Sequence, residues 1–379
     1  MKKLIALISA LSILAFTFTG CSDKNSSVSS SGESEAEQTV TQAQLNIEPN
    51  SESDFVYSIE NDEVTITGYK GSSVSVGIPE KIEGKPVTAI GEKAFDGYEE
   101  LDPDDSKSSY KPNNINAITA ISIPDSVKVL NLGAFTNCYS LTAIELGNGL
   151  EKICEGAFAC CDKLTSVVIP DSVKEIEGYA FYECYYLASV SLSKNLTQIG
   201  DYVFYRCYEL KSLTIPDSVT SIGKGCFAKC DFLTDVKLGK GITDIPEYAF
   251  YLNYSLSGID LPDGIKSIGT GAFTGCSSIT KIELPDSITT LGDGVFYSCN
   301  GIGSIDIPES VTSIGERALG YTQEIKSTTD GSQESKSTTD GSSDDTPVTV
   351  LLSSFCISGK KGSAAEKYAS DNKIEFKSN

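Results

Sequence analysis

Leu164-Thr-Ser-Val-Val-Ile169-Pro-Asp-Ser-Val173-Lys-Glu-Ile176-Glu-Gly-Tyr-Ala-Phe181-Tyr-Glu-Cys184 is one copy of a unit that recurs along most of the chain. Anchored on its phenylalanine, the unit returns every 23 residues as Phe135, Phe158, Phe181, Phe204, Phe227, Phe250, Phe273 and Phe296, with Leu319 in the same place one period later. Phe95 belongs to an earlier copy, set back by 40 residues, which is one period plus a 17-residue insertion. Ten copies are therefore visible. A fixed period of roughly 20–50 residues marks a solenoid, in which each unit stacks on the next.

The unit itself explains the stacking. Counting back from the phenylalanine, apolar residues recur at minus 5 (Ile153, Ile176, Ile199, Ile222), minus 8 (Val173, Leu196, Val219, Ile242) and minus 17 (Leu141, Leu164, Leu187, Leu210). Pairs at minus 14 and minus 12, such as Val167 with Ile169, have the period of two expected of a strand with one buried face. Pro at minus 11 (Pro124, Pro170, Pro216, Pro262, Pro285, Pro308) ends that strand, because it has no N–H for a ladder. The S-V-x-x-I-G that follows suits a second short extended segment, and A-F-x-x-C a short helical turn. One coil alone cannot bury six apolar side chains, so stability must come from neighbours. The expected fold is a repeat solenoid, mainly parallel β with short helical turns, of about ten 23-residue coils spaced roughly 4.8 Å apart.

The pattern L-x-x-I-x-I-P-x-S-V-x-x-I-G-x-x-A-F-x-x-C resembles the BspA-like branch of bacterial leucine-rich repeats, over about residues 55–325. Two flanking segments share the likeness: Val64-Thr-Ile-Thr-Gly-Tyr69 leading to Ile82–Gly91, and Ile357–Ala369 with Asn372, Ile374 and Phe376. The resemblance implies a right-handed parallel solenoid on a microbial surface, often an adhesin, and no catalytic residues.

At the start of the chain, Lys2 and Lys3 precede an apolar run from Leu4 to Phe18, then Thr19-Gly20-Cys21. This is the layout of a secretory signal, too short to favour a spanning helix. A Cys directly after Gly makes residues 1–20 resemble a bacterial lipoprotein signal, which implies that Cys21 carries lipid and tethers the protein to a bacterial membrane, outside the cytoplasm. Residues 21–54 hold seven acids against one lysine and almost no apolar content, the composition of a disordered tether. The insertion at 97–114 reads as a solvated loop; its acids lack the spacing of a calcium site. Residues 326–346 contain Lys326-Ser-Thr-Thr-Asp-Gly-Ser332 and again Lys336-Ser-Thr-Thr-Asp-Gly-Ser342, a low-complexity loop. Residues 347–379 form a C-terminal cap, with a short helix over 363–371.

Composition narrows the partners. The net charge of −22 becomes −24 if Lys2 and Lys3 are removed with the signal. A chain this acidic, with no basic block, is not built to bind nucleic acid through phosphates, and anionic lipid or sulfated glycans repel it. There is no His, which removes Ser-His-Asp and Cys-His nucleophile systems and the commonest acid–base group. Asp260 and Glu283, on neighbouring coils, are a weak glycosidase couple at best. No cofactor is expected. Seven of the 12 cysteines (Cys138, Cys161, Cys184, Cys207, Cys230, Cys276, Cys299) stand three residues after the anchoring Phe, one per coil, interrupted by Asn253. Stacked Cβ vectors point the same way and suit disulfides poorly. Buried, reduced thiols are the expectation, since one sulfur per coil gives a row rather than a metal tetrahedron.

What remains is surface. Minus 16, minus 15 and minus 13 face outward on the strand and are bland: Thr142, Ala143, Glu145; Thr165, Ser166, Val168. Tyrosines gather at the opposite corner, at minus 2 (Tyr179, Tyr202, Tyr248), plus 1 (Tyr182, Tyr205, Tyr251) and plus 4 (Tyr185, Tyr208, Tyr254). Tyrosine is enriched in binding hot spots, so these nine are the candidate binding residues for an extracellular protein or glycan. The alternative is that the rings only cover the ends of the core, in a structural or envelope-organising protein with no specific ligand.

Overall fold

The computed structural model describes residues 44–100, 110–325 and 347–379. The signal, Cys21, the tether up to residue 43 and the low-complexity segment 326–346 lie outside the described residues, as do residues 101–109 of the insertion. By backbone contacts the chain divides into Met1–Gln38 and Thr39–Asn379, and every described residue belongs to the second unit.

That unit is a parallel β-solenoid of about 12 turns of about 23 residues, with very little helix. Two extended segments per coil build it, and most of them pair as strands. The minus 14 segment forms three-residue strands such as Ser166–Val168 and Ser189–Ser191, paired in parallel with Val167 opposite Val190. The S-V-x-x-I-G segment forms two-residue strands, and these place Ile153, Ile176, Ile199 and Ile222 in a single stacked row. A register of one full period is forced, because only then does every buried residue meet its own equivalent.

The A-F-x-x-C segment turns as expected, but no helix forms: hydrogen bonds to the next coil alternate with bonds that close single turns within the coil. Phe135 N–H donates to the Ala157 carbonyl at 2.8 Å and Asn137 N–H to that of Ala159 at 2.8 Å. The same pattern recurs down the stack, for example Phe158 to Ala180 and Phe181 to Val203. Left-handed residues open each turn for this pairing. At plus 2 stand Asn137, Cys160, Glu183, Arg206, Lys229, Leu252 and Ser298, all with φ between 56° and 60°.

The anchoring phenylalanines form the spine of the core. Phe95, Phe135, Phe158, Phe181, Phe204, Phe227, Phe250, Phe273 and Phe296 stack face to face, with centroids 5.0 to 5.7 Å apart. None is more than 3% exposed. Full burial of such a side chain stabilises by roughly 1.5–3 kcal/mol, and each stacked aromatic pair adds about 0.5–1.5 kcal/mol. Beside the spine run the thiols. Each ladder cysteine donates its S–H to the Phe carbonyl of the preceding coil, from Cys138 on Phe95 (3.1 Å) to Cys299 on Phe273 (3.0 Å). All eleven cysteines among the described residues are free.

Both ends of the stack are closed. At the start, Asn50 N–H donates to the Gly77 carbonyl, and Gly77 N–H returns the bond to Asn50 Oδ1. Residues 45–54, read from composition as tether, therefore lie on the solenoid, because Asn50 satisfies the open edge of its first strand. The hairpin Phe55–Glu60 with Glu63–Tyr69 follows and covers the first coil. At the far end, the helix Ala364–Asn372 packs Ala365, Tyr368 and Ala369 onto the last coil. The Tyr368 hydroxyl accepts the Leu319 N–H at 3.1 Å, a bond that a further coil would otherwise satisfy.

The two insertions leave the stack as antiparallel hairpins. Tyr98–Glu100 pairs with Tyr110–Pro112, and Tyr321–Ile325 with Pro347–Leu351.

Candidate binding surface

The tyrosine corner is built on the turn around each anchoring Phe. Tyr179, Tyr202 and Tyr248 have φ of 59°, 55° and 57°, at the position where the coils of Phe135, Phe158, Phe227, Phe273 and Phe296 carry left-handed glycine. A bulky side chain there is strained by about 1–2 kcal/mol, so packing must hold it. The packing is specific. The Tyr202 ring lies where a Cβ on Gly225 would approach to 2.3 Å, and the Tyr248 ring where a Cβ on Gly271 would approach to 2.6 Å. Each ring thus lies along the stack and covers the glycine of the next coil.

Six of the nine candidate tyrosines form one block on two adjacent coils. Tyr179 stacks on Tyr202 at 5.4 Å, Tyr182 on Tyr205 at 5.0 Å and Tyr185 on Tyr208 at 5.3 Å. The next coil breaks all three stripes, with Gly225, Ala228 and Asp231 in the equivalent places. Tyr248, Tyr251 and Tyr254 make a second group beyond it, with Tyr248 edge-on to Tyr251 at 5.6 Å. The rings are half-buried, and Tyr182 is only 9% exposed. Burial, followed by the Glu183 carboxylate, raises the Tyr182 and Tyr185 hydroxyls above the ordinary tyrosine range.

Charge is woven between the rings. Arg206 pairs with Glu183 at 2.6 Å, both largely covered, and its guanidinium lies 5.4 Å from the Tyr205 ring centre. Lys229 approaches the same ring at 5.8 Å and Lys224 the ring of Tyr248 at 5.3 Å. Asp162 and Asp231 occupy plus 4 on either side of the Tyr185–Tyr208 pair. Burial raises both carboxyls, and with the Glu183 charge nearby it pushes Asp162 up to about 6.

The corner also holds two aromatics that the stripes do not include. Tyr186 and Phe232, at plus 5, are 58% and 52% exposed, against half-burial for the nine candidates. Elsewhere that column is polar or small: Ser140, Lys163, Glu209, Ser255 and Ser278. An aromatic in an otherwise polar column is the signal that could have found them. Of the proposed acid pair, Glu283 is exposed and ion-paired with Lys281, whose ammonium holds its carboxyl below the usual range. A general acid needs the opposite shift. Among the described residues, no group of three or more His, Cys, Asp or Glu is placed to hold a metal ion, and no helix is long and apolar enough to cross a membrane. Cys21 lies outside the described residues.

Comparison with known proteins gives the following. The profile of the BspA type leucine rich repeat region matches residues 106–234 and 220–337. Among solved structures, a leucine rich repeat protein of T. pallidum is 25% identical, with a TM-score of 0.40 over 67% of this chain and 91% of that one. A leucine rich cell surface protein of Faecalibacterium prausnitzii is 25% identical, with a TM-score of 0.42 over 73% and 87%. The pneumococcal vaccine antigen PcpA is 19% identical, with a TM-score of 0.44 over 89% and 100%. Comparison with curated proteins returns no match.

Proposed function

Because the chain belongs to the BspA-type leucine-rich repeat family, we propose that it is a non-catalytic interaction protein, anchored through lipid on Cys21 outside a bacterial cytoplasm. Its solenoid presents the tyrosine corner to a protein or glycan on another surface. The observation that carries this reading is the concentration of rings on the coils of Phe181, Phe204 and Phe250, joined by the exposed Tyr186 on the first of these and the exposed Phe232 on the coil of Phe227. A core needs covering on every coil, yet the coils of Phe135, Phe158, Phe227, Phe273 and Phe296 close the same corner with glycine at minus 2. The leader ending in Gly20-Cys21 and the acidic residues after it support export and tethering.

One observation favours a second reading, in which the protein organises the envelope without a specific ligand. Tyr182 is nearly buried against Tyr205, so part of the aromatic surface is consumed in packing. An array of matrix proteins, mucins, glycans and bacterial envelopes, probed with the full chain, separates the two. Saturable binding to any of these supports the interaction reading. Silence across the whole array sinks it in favour of the structural one. Metabolic labelling with a fatty-acid analogue, lost in Cys21→Ala, tests the anchor.

A further inference from the structure

We infer that Tyr186 and Phe232 form a two-ring platform for a neutral, β-linked polysaccharide strand lying along the stack; the inference rests on the interaction reading above and narrows its partner to one class. The two residues are 46 positions apart, two coils in the same column. The backbone fixes that register: Tyr186 N–H donates to the Asp162 carbonyl at 3.1 Å, Glu209 N–H to that of Tyr185 at 3.3 Å and Phe232 N–H to that of Tyr208 at 3.2 Å. Two exposed rings therefore recur at two coil spacings, about 10 Å at roughly 4.8 Å per coil. In an extended β-1,4-linked hexose strand, alternate sugars turn the same face to one side, and the repeat has about that length.

The chemistry around the rings suits sugars. A hexose has an apolar C–H face that stacks on an aromatic ring and a rim of hydroxyls that donate. Glu209 lies between the two rings in their column, and Asp162 and Asp231 flank the stacked pair Tyr185–Tyr208 in the adjacent column. Ionised carboxylates only accept hydrogen bonds, so they match a hydroxyl-rich ligand and repel an anionic one. The chain's net charge of −22 acts in the same direction.

Size argues against a protein at these two rings. Aromatic side chains bury 150–250 Å² when fully covered, so rings just over half exposed offer roughly 200 Å² together. A stable protein interface takes about 800 Å² from each partner. A single oligosaccharide strand does not need that area.

The test titrates cellohexaose, mannohexaose and chitohexaose into the full chain in detergent micelles by calorimetry. Maltohexaose serves as an α-linked control and heparin as an anionic one, with the protein array above run in parallel. Saturable binding of at least one β-1,4-linked hexasaccharide, and none of heparin, is expected. The double variant Tyr186→Ala/Phe232→Ala should weaken it at least about tenfold at an unchanged far-UV spectrum, and Tyr186→Phe should hold it within about threefold. Binding that survives the double variant overturns the platform. Binding to proteins but to no neutral β-linked oligosaccharide overturns the glycan inference and leaves the interaction reading standing. Binding to nothing overturns both.

Discussion

The Cys207 thiol donates to the carbonyl of Phe181, 3.3 Å away on the preceding coil. The same carbonyl accepts Cys184 N–H from its own coil, also at 3.3 Å. Both lone pairs are thus used, and the thiol is a link between coils as well as apolar filler. A cysteine fits where serine would not, because the longer C–S bond reaches the carbonyl while the sulfur stays compatible with an apolar surrounding. Cys207→Ala removes both the bond and the volume. We expect a loss of about 1–3 kcal/mol in urea unfolding. Cys207→Val restores apolar volume without the donor and should still fall below the native chain. A Cys207→Val variant as stable as the native protein would show that the thiol hydrogen bond contributes nothing.

Gly225 and Tyr202 are coupled across one coil. Gly225 has φ +57°, and a Cβ there would come within 2.3 Å of the Tyr202 ring. Gly225→Ala should therefore cost about 1–2 kcal/mol for left-handed backbone, and more for displacing the ring. In a Tyr202→Ala background only the backbone part remains. The double-mutant cycle should show a coupling of about 0.5–3 kcal/mol between the two sites, and strict additivity would refute the packing described.

Much of this architecture was legible in the residues. The 23-residue period places the anchoring Phe, the minus 5 Ile and the ladder Cys, because a stacked register leaves each column one environment. The corner was legible only in part. Spacing locates Tyr179 and Tyr182 on the turn but does not say which way their side chains lean. That direction depends on left-handed backbone at minus 2 and plus 2, which glycine advertises in some coils and tyrosine conceals in others. Tyr186 and Phe232 are not legible as a stripe, because rings on two coils with Glu209 on the coil between show no period. The hairpin stems Tyr98–Glu100 with Tyr110–Pro112 and Tyr321–Ile325 with Pro347–Leu351 were hidden as well, since polar, low-complexity sequence surrounds short pairing segments.

Asp162 gives the fold a pH dependence of defined sign. Burial, and then the Glu183 charge, push its carboxyl up to about 6, from 3.8. A carboxyl whose pKa is raised by folding binds more protons when native than when unfolded, so stability falls as pH rises from about 4 to about 6. Above that window the ionised group opposes the fold, by about 1 kcal/mol once solvent screening at a half-buried site is allowed for. Asp162→Asn should raise the melting temperature at pH 7.5 and lose that advantage by pH 4. Thermal unfolding at the two pH values checks it, and an advantage that grows toward low pH would reverse the assignment.

Tyr182 and Tyr186 stand four residues apart and should respond oppositely to truncation. Tyr182 is 9% exposed and stacks on Tyr205 at 5.0 Å with planes 8° apart, whereas Tyr186 is 58% exposed. Removing a buried aromatic leaves a cavity and typically costs about 3–5 kcal/mol. Tyr182 keeps 9% of its surface exposed, so the cavity is not fully enclosed and about 2–3 kcal/mol is expected for Tyr182→Ala. Tyr186→Ala should fall within about 0.5 kcal/mol of the native chain, as exposed substitutions do. Urea unfolding of the two variants, read beside ligand binding, then divides the corner by role. Tyr182→Ala should lose stability first and binding only through it, while Tyr186→Ala should lose binding at full stability. A Tyr186→Ala variant that unfolds as readily as Tyr182→Ala would make this ring part of the core, and the corner a cover rather than a contact surface.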